Sequence, residues 1–150
     1  MDVTLMSGDQ ASFVSMRLLE VNSVQATSIR VRAEYAAPDF GGRNDHVWFW
    51  LSDLDRFVEA LWKLHRNEAG IAELISLSPA EFVFTVAADS PARDKLAQIT
   101  ISKASRLRDY DVQQTVSGGF VVDHGAIHTL TQGFVRLRDA VMSGTDIANT

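Results

Sequence analysis

The chain has 150 residues, of which 46% are hydrophobic, with a net charge of −5 and no cysteine. Length and apolar content suit one domain with a sizeable core, and the lack of cysteine excludes a disulfide framework or a thiolate metal site. The acidic balance argues against a nucleic-acid binder, which needs a basic face for phosphates, and is compatible with a basic protein partner.

Met1 to Ser7 has neither the basic start nor the apolar region of a signal peptide, and no apolar run approaches the roughly 20 residues of a membrane helix. A cytoplasmic location is therefore expected. Residues 1–11 read as a loosely ordered start. Residues 12–21 alternate Val14, Met16 and Leu18 against Phe13, Ser15 and Arg17, the period of a strand. Residues 22–27 are polar and turn-like. In residues 28–35, Ile29, Val31, Ala33 and Tyr35 point one way and Arg30, Arg32 and Glu34 the other, as in a sheet with one buried face. The Pro, Gly and Asn/Asp content of residues 37–45 marks a loop.

Residues 46–51 read as a strand leading directly into the least ambiguous element, a helix. Leu54, Phe57, Val58, Leu61 and Trp62 form one apolar stripe on it. Ser52 is the expected N-cap, Asp53 and Asp55 complement the first turn, Lys63, His65 and Arg66 the last, and Gly70 offers a stop. Residues 71–77 fit a short strand or an irregular crossing. Ser78-Pro79 is a break, residues 81–88 alternate as a strand, and 89–93 form a turn. Residues 95–104 place Ala97, Ile99 and Ile101 on one side of a further strand. Residues 109–116 and 119–122 read as strand pieces with a bulge or bend at Gly118-Gly119. A last helix starts between Asp123 and Ala126 and ends near Gly144, its stripe formed by Ile127, Leu130, Phe134, Leu137 and Val141. Gly133 lies at the edge of that stripe. A mid-helix glycine costs roughly 0.5–1 kcal/mol relative to alanine; close backbone packing would explain it, and a plain surface defect is the alternative.

A shift of 73 residues superposes the two helices. Leu54, Phe57, Leu61 and Leu64 fall on Ile127, Leu130, Phe134 and Leu137, while Val47 and Phe49 fall on Phe120 and Val122. The chain thus reads as two similar β-β-β-α halves, about 12–68 and 81–143, fused into one domain 1–150 with loosely ordered ends at 1–11 and 144–150. The expected class is α+β: a mainly antiparallel sheet with two amphipathic helices packed on one face.

No catalytic motif stands out. His124 and His128 are spaced i, i+4 beside Asp123, which suits one helix face and a zinc or hydrolytic site. However, Gly125 stands where a zinc protease has its glutamate, and no third ligand is apparent. The plainer reading makes Asp123 the cap of a polar helix start. Asp45 and His46, adjacent on a strand, point to opposite faces, which argues against an acid–base pair. His65 reads as a satisfied core histidine. Residues 47–51 are more informative: with Val47 and Phe49 toward the core, Trp48 and Trp50 project from the other face as anchors of a protein interface.

Residues 49–57 (Phe-Trp-Leu-Ser-Asp-Leu-Asp-Arg-Phe), followed by a helix, short strands, Phe120-Val121-Val122-Asp123 and a second helix, resemble the WapI-type immunity proteins of bacterial polymorphic toxin systems. The resemblance spans about residues 28–142. It departs from that family after Asp123, where His124 and Gly125 replace the glutamine or threonine often found there. The resemblance implies a non-enzymatic protein, without cofactor, that binds and neutralises a cognate toxin. Trp48 and Trp50 are the candidate partner-binding residues. A small-molecule- or metal-binding domain using Asp123, His124 and His128, and a structural homodimer, are the alternatives.

Overall fold

The computed structural model describes residues 1–66, 68–79, 81–88 and 94–144. Eight strands and two helices follow one another as β1 (Asp2–Met6), β2 (Phe13–Asn22), β3 (Ser28–Ala37), β4 (Phe40–Trp50), α1 (Leu51–His65), β5 (Gly70–Ile75), β6 (Phe82–Ala88), β7 (Lys95–Leu107), β8 (Tyr110–Val122) and α2 (His124–Ser143). The class is α+β, and every strand pairing is antiparallel. The strands form two four-stranded meanders, β1-β2-β3-β4 (sheet 1) and β5-β6-β7-β8 (sheet 2), in place of the single sheet expected.

The 73-residue repeat is visible in this architecture. Each half is β-β-β-β-α, one strand longer than the sequence pattern indicates. All eight helix residues matched by the shift are buried. The extra strand of the first half is β1, where a loose start was expected. Val3 and Leu5 of β1 are buried, and an exposed Asp2–Arg17 pair joins its start to β2 through Nε–Oδ1 and Nη2–Oδ2 bonds of 2.7 and 2.9 Å. That fork holds the Asp2 carboxyl below its ordinary range. The counterpart in the second half is β5, so residues 70–75 are a strand and not an irregular crossing.

Each helix packs against the edge strand of the other half's sheet: α1 beside β5, α2 beside β1. The helices also pack on each other, and paired residues set their direction. Asp55 near the start of α1 meets Arg138 near the end of α2 at 3.7 Å, Phe57 meets Phe134, and His65 at the end of α1 meets His128 near the start of α2. The pair is therefore antiparallel. Gly133 is placed by this packing: a Cβ there would lie 3.0 Å from Val3 Cγ1, so the glycine lets β1 lie close on α2.

The sheets meet through β3 and β4 on one side and β7 and β8 on the other. Phe49 and Phe82 pack edge to face with centroids 5.3 Å apart. Gly118 lies under the phenol of buried Tyr35, and a Cβ on Gly42 would sit 2.7 Å from Val116 Cγ1. The pairing β7–β8 runs through Gly118-Gly119 without a shift, so these glycines mark close approach and not the expected bulge. Register shifts lie elsewhere, in β2 between Leu18 and Glu20 and in β4 opposite Arg32. The β4 bulge turns Asn44 inward, where Nδ2 donates to the Ser102 carbonyl at 2.8 Å and Oδ1 accepts from the His46 amide at 2.9 Å, tying one sheet to the other.

Local chemistry accounts for the remaining differences. The expected loop 37–45 is a tight turn at Pro38-Asp39, with Asp39 at a positive φ of 61°. α1 begins one residue before Ser52, and Trp50 flanks it in an extended conformation without a side-chain cap. Asp53 is in the first turn and pairs with Arg56. α2 has the cap that α1 lacks: Asp123 Oδ1 accepts from the Ala126 amide at 2.8 Å, and Gly144 closes the helix in the left-handed conformation. The expected turn at 89–93 and most of the expected loose end lie outside the described residues.

Leu61 and Phe134 are fully buried in the middle of their helices. Leu61→Ala and Phe134→Ala are each expected to destabilise the whole domain by about 2–5 kcal/mol, read as a lowered urea midpoint with an unchanged slope. Gly118→Ala is expected to cost about 1–3 kcal/mol by forcing the Tyr35 ring out of place, read as a lowered midpoint in the same urea titration.

Candidate functional site

The alternation of β4 sorts its residues by face. Val47 and Phe49 are fully buried, Trp48 is half-buried and Trp50 is 41% exposed. Both tryptophans thus lie on the face opposite the core, as the sequence pattern requires. Backbone bonds hold them there. The Trp48 carbonyl accepts from the Leu77 amide at 2.8 Å, and the Leu51 amide donates to the Thr27 carbonyl at 2.9 Å, so the strand end is tied both to the β5–β6 connection and to the β2–β3 connection.

Trp50 separates two open depressions. One, of about 310 Å³, is lined by Asn22, Val24, Gln25, Ala26, Ser28 and Trp50. The other, of about 300 Å³, is lined by Ala26, Thr27, Trp50, Leu51, Ser52 and Asp55. Val24, at the tip of the β2–β3 connection, is 88% exposed. Sequence reasoning missed this residue, because a lone valine in a polar turn carries no periodic signal. Behind the tryptophans the outer face of sheet 1 is charged but paired. Arg30 meets Glu20 at 3.0 Å, Arg32 meets Asp45 at 3.0 Å and Arg43 meets Asp45 at 3.3 Å. Partly exposed pairs of this kind contribute little to stability, but they leave a polar rim beside the aromatic corner.

The second candidate group is assembled by the helix pair. His124 and His128 share the start of α2, and the end of α1 brings His65 to them. His65 Nε2 lies 2.9 Å from His128 Nδ1, and the His65 ring centroid is 5.1 Å from that of His124 and 4.8 Å from that of His128. Trp62 packs edge-on against His65 at 5.4 Å. His65, read from the sequence as a satisfied core histidine, instead joins this cluster, and no local spacing links it to His128, 63 residues away. The rings contact one another directly, and no group of three His, Cys, Asp or Glu among the described residues is placed to hold a metal ion. Asp123 is occupied as the helix cap. His46 is exposed and Asp45 is committed to Arg32 and Arg43, so that adjacent pair is not brought together either.

Burial first, and then the positive charge of His124, His128, Arg66 and Lys95, pushes the His65 imidazole below its ordinary value of 6.5. No helix among the described residues is long and apolar enough to cross a membrane. Comparison with protein-family models, with curated proteins and with solved structures finds no match for this chain.

Proposed function

We propose that this protein is a non-enzymatic binding module that takes a protein partner on the Trp48–Trp50 corner of sheet 1. In the reading that the immunity-type pattern implies, it neutralises a toxin by that contact. The observation that carries the proposal is Trp50, a large aromatic left 41% exposed on a strand whose inward neighbours Val47 and Phe49 are fully buried. Its backbone is fixed from two sides, so little ordering is needed on binding, and rigid exposed tryptophans are frequent anchors of protein interfaces. The two depressions beside it are receptive on either flank. A partner with basic side chains suits the overall charge of −5.

A second reading rests on sheet 2. Its register aligns Ile71, Ala87, Leu96 and Val121 in one row across all four strands of the outer face. Ile71, Leu96 and Val121 are exposed there. An apolar row without opposed charges is compatible with a second copy of itself across a two-fold axis, giving a homodimer. Light scattering of the wild type and of Leu96→Glu tests this: a dimer that becomes a monomer supports it, whereas a monomeric wild type rules it out.

For the leading proposal, the double variant Trp48→Ser/Trp50→Ser is expected to stay folded, with a stability loss of about 1 kcal/mol, because neither side chain belongs to the main core. Its affinity for the protein encoded beside it as a candidate toxin is expected to fall by more than about tenfold in isothermal titration. Unchanged affinity would place the contact elsewhere. Failure to fold would assign the tryptophans to a core.

A further inference from the structure

The three histidines lie at one end of the contact that joins the two halves. We propose that His65, His124 and His128 form a pH-sensitive latch between the end of α1 and the start of α2, closed while the cluster carries at most one proton beyond neutral and released when it takes up more. The geometry sets the rule. The His65 Nε2–His128 Nδ1 contact of 2.9 Å requires one nitrogen to donate and the other to accept. Two neutral rings satisfy it, as does one neutral ring with one imidazolium. Two imidazolium rings cannot, because both nitrogens then carry hydrogen and both rings carry charge.

The surroundings oppose a second proton. The His124 ring lies 5.1 Å from that of His65, so a charge on it adds to the repulsion. From the other elements packed here, Arg66 follows His65 at the end of α1, and Lys95, at the start of β7, is only 2% exposed. Arg66 meets Glu68 at 3.6 Å, which offsets part of its charge. The one carboxylate adjoining the cluster in sequence is Asp123, whose Oδ1 accepts from the Ala126 amide as the α2 cap. Lys63 on α1 is exposed.

The sign follows from linkage. In the open state His65 regains its ordinary affinity for protons, whereas in the closed state it binds them less well. The contact is therefore unaffected well above pH 6.5 and weakens as the pH falls through and below that value. The exposed Asp2–Arg17 fork weakens in the same direction but in the aspartate range, as the pH falls through and below the ordinary aspartate value of 3.8. Release begins at the histidine end, because Phe57–Phe134 and Asp55–Arg138 hold the rest of the helix pair.

Two measurements test the latch. In the first, histidine ring protons are followed by NMR through a pH titration. His65 is expected to titrate below its ordinary value in the wild type and to move upward in His124→Gln/His128→Gln. No upward movement overturns the proposal. In the second, hydrogen exchange in the last turn of α1, corrected for intrinsic rate, is compared between about pH 7 and about pH 5. Opening is expected to increase by up to about tenfold per pH unit for each extra proton bound by the open state, and this increase should be smaller in the double variant. The same pH dependence in wild type and variant overturns the latch. Should the double variant not fold, the wild-type titration decides alone: an ordinary His65 midpoint overturns the proposal.

Discussion

The structure depends on the antiparallel contact between α1 and α2. Phe57 is its centre: the ring packs on Phe134 at 5.0 Å and on Phe84 of β6 at 5.8 Å, so one side chain touches both helices and the second sheet. Since α1 lies beside β5 and α2 beside β1, each half covers the other's edge strand. An uncovered edge is a template for association, and a helix is one of the ways proteins protect it. The exchange makes the domain one cooperative unit, because neither sheet has both its apolar face and its first strand buried without the opposite helix.

The sheets impose a second constraint. Where β3 and β4 meet β7 and β8, several contacts are backbone against side chain, and only glycine leaves room for them at 42 and 118. The β4 bulge then places a polar group in this dry region with its partners supplied: Asn44 bonds Ser102 and His46, and among the described residues no buried side-chain nitrogen or oxygen lacks a partner. Such a bridge fixes the relative register of the two sheets, because sliding one past the other would leave a buried amide unpaired.

With the interior filled this way, the features available for recognition lie on the surface. The depressions beside Trp50 are open, and the aromatic corner combines a rigid strand end, an exposed valine tip and a polar rim of paired charges. That combination of a central anchor and a wetter periphery supports the proposed binding surface. The histidine cluster lies instead at the helix junction, where a change of charge acts on the contact between the halves.

The sequence by itself determined the elements whose period is strong. The stripes Leu54-Phe57-Leu61-Leu64 and Ile127-Leu130-Phe134-Leu137 gave both helices and the 73-residue repeat, because a helix with one buried face must place its apolar residues at that spacing. The alternation of β3 and β4 likewise placed Trp48 and Trp50 opposite Val47 and Phe49. Tertiary structure alone decided the rest. Five residues of β1 are too few for a periodic signal, and their strand exists because α2 and β2 cover it. Gly118-Gly119 reads as a break until Tyr35 is seen above it. The division into two sheets depends on pairings between separate segments, which a single strand's pattern does not encode. The meeting of His65 with His124 and His128 has the same cause: residues 63 apart become neighbours only because two helices run antiparallel, and no local rule links their spacing.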